Sequence, residues 1–219
     1  LKASLVKNII GVGISPFLMN VCACIIVIFM NNQFVRFGGD LAVGAFGVAN
    51  AIGTVFLMFI MGLNQGMQPI AGYNYGSQQI DRLMKVLNLS IIAATAIMTT
   101  GWVIAMVIPY YCARMFTTDP TLIAMAIKGI RIDMMLYPII GFQMVVTNFF
   151  QCIGKVKISI FLSLSRQLLF LLPLLAILPN YFGVDGVWYS LPASDLTAAL
   201  VAAVVMGRYM KMFRKQLKS

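Results

Sequence analysis

Six apolar runs, each close to the ~20 residues that cross a bilayer core, recur along this chain with short polar turns between them. They fall at about 12–30, 41–63, 86–108, 130–150, 158–178 and 187–206. A backbone in lipid must satisfy every N–H and C=O within its own structure, so only helices and closed barrels span membranes. The runs are long and continuous rather than alternating, which predicts helices. Composition agrees: 61% of residues are hydrophobic and only 10% are charged, against about 25% in a soluble domain. The expectation is an all-α polytopic membrane protein with six transmembrane helices spanning 11–207, preceded by a short interfacial segment at 1–10 and followed by a basic tail at 208–219.

The charges that remain are informative by position. A net charge of +10 is too thinly spread for a nucleic-acid face, so no nucleic-acid partner is expected. With six spans both ends share a side. Lys2, Lys7, Arg82, Lys85, Lys155, Lys157, Arg166 and the tail residues Arg208, Lys211, Arg214, Lys215 and Lys218 fall on that side. Only Arg36, Arg114, Lys128 and Arg131 fall on or toward the other. Basic residues concentrate in cytoplasmic loops, which predicts a multi-pass protein of the cell inner membrane with both termini cytoplasmic.

Catalysis finds little support. The chain has no His, and all six acidic residues are Asp. Imidazole bases, His-based metal sites and Glu/Asp pairs are therefore excluded. Cys22, Cys24, Cys112 and Cys152 match no zinc or redox spacing. No metal, no cofactor and no enzymatic activity are expected. The chain starts at Leu1 rather than Met, and the expectation is a fragment.

Polar residues inside the spans form stripes. Asn20, Cys24, Val27 and Asn31 share a face of the first span. They suit either interhelical hydrogen bonding or a cavity wall. Residues 31–40 read as a polar turn. Asn50, Thr54, Met61, Gln65 and Gln68 follow one face of the second span. The third span is the most suited to face lipid. The fourth helix is expected from Pro120 to about Gln151, with Asp119 capping its start and Pro138 kinking it. Asp133, Tyr137, Gly141, Met144, Asn148 and Gln151 fall on one of its faces. Asp133 suits either a paired or solvated group near the outer end or a functional acid. Arg166, in the fifth span, is expected to snorkel to the interface or bond a neighbouring helix end. Asp195 lies well inside the sixth span among alanines. An ionisable residue there costs about 2.5–3.5 kcal/mol on insertion scales and is a functional candidate by default; structural pairing is the rival.

The end of the second span is unusual. Between Gly62 and Gly76 stand four side-chain amides (Asn64, Gln65, Gln68, Asn74), Pro69, and Gly66 and Gly72. This is either a frayed helix end with a cytoplasmic turn or a flexible gate beside a polar cavity. Gln65-Gly-Met-Gln-Pro-Ile-Ala-Gly-Tyr-Asn-Tyr-Gly76 resembles the stretch after the eighth helix of multidrug and toxic compound extrusion transporters. Phe149-Phe-Gln-Cys-Ile-Gly-Lys-Val-Lys-Ile-Ser159 resembles their turn between the tenth and eleventh helices, and Ser163-Leu-Ser-Arg-Gln167 followed by Pro173 agrees in order and spacing.

The resemblance implies the carboxy-terminal six-helix lobe of a twelve-helix antiporter. Such proteins export organic cations and other toxic compounds in exchange for protons or sodium ions, by alternating access between two lobes. The partner implied is an amino-terminal lobe, absent from this chain, or a second copy. With the stripes above, the resemblance makes Asn20, Asn50, Gln65, Gln68, Tyr137 and Asn148 candidates for the substrate pathway. Some members place a Glu in the seventh helix; the matching span here offers only Asn20 and Cys22. The tenth helix carries a functional acid in some members, so Asp133 is a candidate for ion coupling, with Asp195 beside it. A related flippase for lipid-linked oligosaccharide is the alternative. A membrane-embedded enzyme is the other rival class.

Overall fold

The computed structural model describes residues 3–216, with side chains described at 17 and over 20–213. Among the described residues every regular element is helical. The amphipathic reading of 1–10 and the charges Arg214, Lys215 and Lys218 lie outside the described side chains.

Helix α1 (Ala3–Gly76) is two spans in one, bent at Gly39, the single residue of the helix with non-helical angles (φ 67°, ψ −168°). That combination is open essentially to glycine alone. The polar turn expected at 31–40 is narrowed to that bend. The first span continues through it as helix, because Phe34 is fully buried and no proline interrupts the run. The second correction is at 62–76, which is neither frayed nor looped. The helix runs through Pro69 to Gly76, and the Asn74 side chain donates to the Ile70 carbonyl at 2.8 Å.

Helices α2 (Ile80–Val107) and α3 (Pro109–Arg114) come next. The fourth span is α4 (Pro120–Asp133), a 3-10 turn over Met134–Leu136, and α5 (Tyr137–Cys152). The break sits where Pro138 removes the N–H that the Met134 carbonyl would otherwise accept. The fifth span is α6 (Val156–Leu164), a π segment over Ser165–Leu171, and α7 (Leu172–Phe182). The sixth is α8 (Val184–Gln216). Four of these helices are long and apolar enough to cross a membrane. Because α1 supplies two spans and the broken α4–α5 helix another, the lobe has six. Gly141 does not face the polar side of α5: a Cβ there would lie 2.9 Å from the Ala94 carbonyl oxygen of α2, so the missing side chain lets the two backbones approach. Across α2 from that contact, Leu89, Ile92, Val103 and Val107 are exposed, as a lipid-facing surface would be.

The end of the bundle near Gly39 is held by an aromatic cluster. Trp188 of α8 is buried against Phe34 (ring centroids 4.8 Å apart) and Phe46 (6.2 Å), one from each limb of α1. Gly129 of α4 makes room for the indole, since a Cβ there would strike it. Lys128 and Asp185 pair nearby at 2.5 Å, but both are exposed and such pairs contribute about 0–1 kcal/mol.

Asp119 caps α4, accepting from the Thr121 N–H at 2.8 Å and its hydroxyl at 2.6 Å. Those two bonds hold its carboxyl below the ordinary value of 3.8. A depressed carboxyl stabilises the fold above its unfolded value and ceases to do so as pH falls through the folded one. Protection of the Thr121 amide from exchange, relative to the intrinsic rate at the same pH, is therefore expected to fall as pH drops below about 4, and Asp119→Ala should show the reduced protection at neutral pH.

Candidate functional site: a polar cavity and a buried charge cluster

A cavity of about 440 Å³ opens among the first, second, fourth and fifth spans. Its wall carries Asn20 from the first limb of α1 and Asn64 and Gln65 from the second. Gln143, Asn148 and Gln151 come from α5, with Arg166 and Gln167 from the π segment. A wall dense in amides is what a membrane protein places beside a water-accessible space rather than lipid.

Three sequence candidates therefore converge here: Asn20, Gln65 and Asn148. Three do not. Asn50 is exposed on the half of the second limb nearer Gly39, and Gln68 is exposed beyond the cavity. Tyr137 is buried at the start of α5, away from the cavity lining. The stripe from Asp133 to Gln151 divides along the length of α5, not at the 3-10 turn, since Tyr137 and the wall residues belong to the same helix. Met144, Asn148 and Gln151 line the cavity, while Asp133 and Tyr137 turn toward Gly53.

The second feature is a charge cluster above the cavity. The Tyr137 hydroxyl donates to Asp133 Oδ2 at 3.3 Å. A Cβ at Gly53 would strike that hydroxyl and lie 3.9 Å from the carboxylate, so the glycine makes the space. Arg166 does not snorkel to the interface. The wide π turn aims it inward, and its Nε lies 2.8 Å from Asp195 Oδ1. Asp195 is buried at 5% exposure, and Asp195 and Arg166 are the charged groups within electrostatic range of Asp133. Two acids thus share one base. Asp195 has its counter-ion; Asp133, half-buried, has no ion pair among the described residues.

Sequence reading did not place Gln143 or Gln167 on the wall, and named Asn64 only among the amides of the 62–76 stretch. Asn64 and Gln143 sit off the stripes by one position. Gln167 was visible, but the π turn that rotates it inward has no sequence signature. Among the described residues no cluster of His, Cys, Asp or Glu has a metal-binding arrangement.

The profile of the MatE family matches residues 12–177. The chain belongs to the MatE family, the multidrug and toxic compound extrusion transporters. This MatE lobe is 23% identical over 203 residues to multidrug export protein MepA of Staphylococcus haemolyticus, covering 93% of this chain and 44% of that one. Among solved structures, it aligns with the MATE multidrug transporter DinF-BH at 36% identity and a TM-score of 0.83, covering 95% of this chain and 47% of that one. It shares the fold of an outward-facing MATE transporter at a TM-score of 0.89 and 22% identity, covering 98% and 48%. The MatE lobe thus spans less than half the length of the relatives it matches.

Proposed function

We propose that this chain is the carboxy-terminal lobe of a secondary active exporter in the cell inner membrane, with both termini cytoplasmic. It expels organic cations or other toxic compounds in exchange for protons or sodium ions, and it rocks against an amino-terminal lobe or a second copy. The observation that carries this reading is the amide-lined cavity, placed where Asn20, Gln65 and Asn148 from three spans meet. Asp133 is the acid available to exchange an ion, because the charge of Asp195 is already balanced by Arg166.

Export of a fluorescent organic cation is the test, from cells making this chain alone and the chain joined to an amino-terminal lobe. Export is expected from the joined form and should fall severalfold in Gln65→Leu. Gln68→Leu, off the cavity, should leave it unchanged. Asp133→Asn should flatten the dependence of export on pH or sodium gradient. Unaltered export in Gln65→Leu would remove the cavity from the pathway, and an unaltered gradient dependence in Asp133→Asn would leave that residue structural.

A further inference from the structure

A second cleft, of about 350 Å³, lies between α3 and the first half of α4. It is at the same end of the bundle as Gly39, since Leu122 of α4 stands against Gly44 of α1. Its volume falls within the range of small-molecule sites, about 300–1,000 Å³. The lining divides by chemistry. Tyr110 and Arg114 come from α3 and Thr118 from the turn after it, while Ile123, Ala124 and Ile127 come from α4. Arg114 is oriented without an acid. Its guanidinium carbon lies 5.9 Å from the centroid of the Tyr110 ring, and its Nη1 donates to the Tyr110 hydroxyl at 3.3 Å. Arg114 is exposed and makes no ion pair among the described residues. No carboxylate lines the cleft among those residues. Asp119, the acid nearest in sequence, is committed to the Thr121 N–H and hydroxyl. The guanidinium therefore offers free donors and an uncompensated charge. Beside the cleft, Val107, Ile108, Tyr111, Met115 and Phe116 are exposed. In a membrane protein such a surface is covered by lipid, with its aromatic side chains at headgroup level.

We infer that this cleft holds an anionic phospholipid, its phosphate on Arg114 and the upper part of an acyl chain along Ile123 and Ile127. Arginine donates to phosphate oxygens in a fixed fork. The apolar side of the same cleft calls for a phosphate that carries hydrocarbon. A zwitterionic lipid brings the same phosphate with an ammonium beside it, which Arg114 repels. The inference is independent of the export reading and requires only that the chain lie in a membrane.

Native mass spectrometry of the purified chain in detergent reads the site, with phosphatidylglycerol and phosphatidylcholine of the same acyl chains as probes. The first phosphatidylglycerol should be retained about fivefold more tightly than phosphatidylcholine, the effect of one favourable charge at a lipid headgroup. Arg114→Gln should bring the two lipids level, and Arg114→Lys should keep part of the preference. Ala124→Phe, which fills the cleft, should remove the retained lipid. Arg36 is an exposed arginine at the same end of the bundle but outside the cleft, and Arg36→Gln should match the parent. Phosphatidylglycerol should also raise the melting temperature of the parent and of Arg36→Gln, but not of Arg114→Gln. A preference that survives Arg114→Gln, or that falls as far in Arg36→Gln, would reduce the binding to general attraction and overturn the site. Retention unchanged in Ala124→Phe would place the lipid elsewhere and overturn it too. Glycerol 3-phosphate is expected not to compete; displacement by it would make this a soluble-anion site and overturn the lipid assignment.

Discussion

Arg166→Met is expected to lower the unfolding free energy by about 3 kcal/mol. Removing one partner of a buried ion pair costs about 3–5 kcal/mol, because the other charge is left uncompensated. The low end applies here, since the Arg166 side chain is 32% exposed while that of Asp195 is 6% exposed. Asp195→Asn alone should cost less, because Arg166 can then reach back toward the cavity water. The pair of changes made together should recover most of the loss, as replacing both members of a buried pair often does. Thermal unfolding in detergent, run on both single variants and the double, gives the coupling. A loss below about 1 kcal/mol in Arg166→Met would mean that the pair is solvated like a surface one.

Trp188→Ala should be costlier, at about 3–5 kcal/mol. The indole is 1% exposed and fills the junction of both limbs of α1 with α4 and α8. The source of the cost differs from that in a soluble core. Lipid is as apolar as the protein interior, so hydrophobic transfer does not hold these helices together; close packing does. The loss would come from contacts forfeited around the hole. Gly129→Val in the Trp188→Ala background should restore part of it, because the new side chain enters the space the indole vacated. The same Gly129→Val change in the parent chain should destabilise by about 1–3 kcal/mol through overpacking. If the valine fails to help the alanine variant, the cluster is not the clamp described.

The all-α, six-span architecture was legible because it depends on two averages, apolarity and length. Pro138 also gave its kink correctly, since a missing N–H acts locally. What escaped was depth and partners. The stripe of the fourth span separates along the helix, Tyr137 packing toward Gly53 while Met144, Asn148 and Gln151 line the cavity. The π segment of the fifth span has no residue pattern of its own. Arg166 illustrates the result: it meets Asp195, a partner on another span that helix periodicity cannot show. The bend at Gly39 escaped for a different reason. Asn31, Asn32 and Gln33 have the composition of a turn, but buried Phe34 holds the segment in helix, and a tertiary contact outweighs local preference.

That bend has a genetic consequence. Nothing stands within 4 Å of the place where a side chain at Gly39 would go, so the position looks permissive by volume. Its backbone angles are not. Every missense change available to a glycine codon by a single base substitution introduces an L-amino acid with a Cβ, and each of them is strained at φ 67° and ψ −168°. The codon should therefore tolerate synonymous changes and almost no others, whatever the size or polarity of the replacement. In a saturation library it should read as depleted across all nineteen alternatives, while Gly47, helical and equally uncrowded, tolerates small residues.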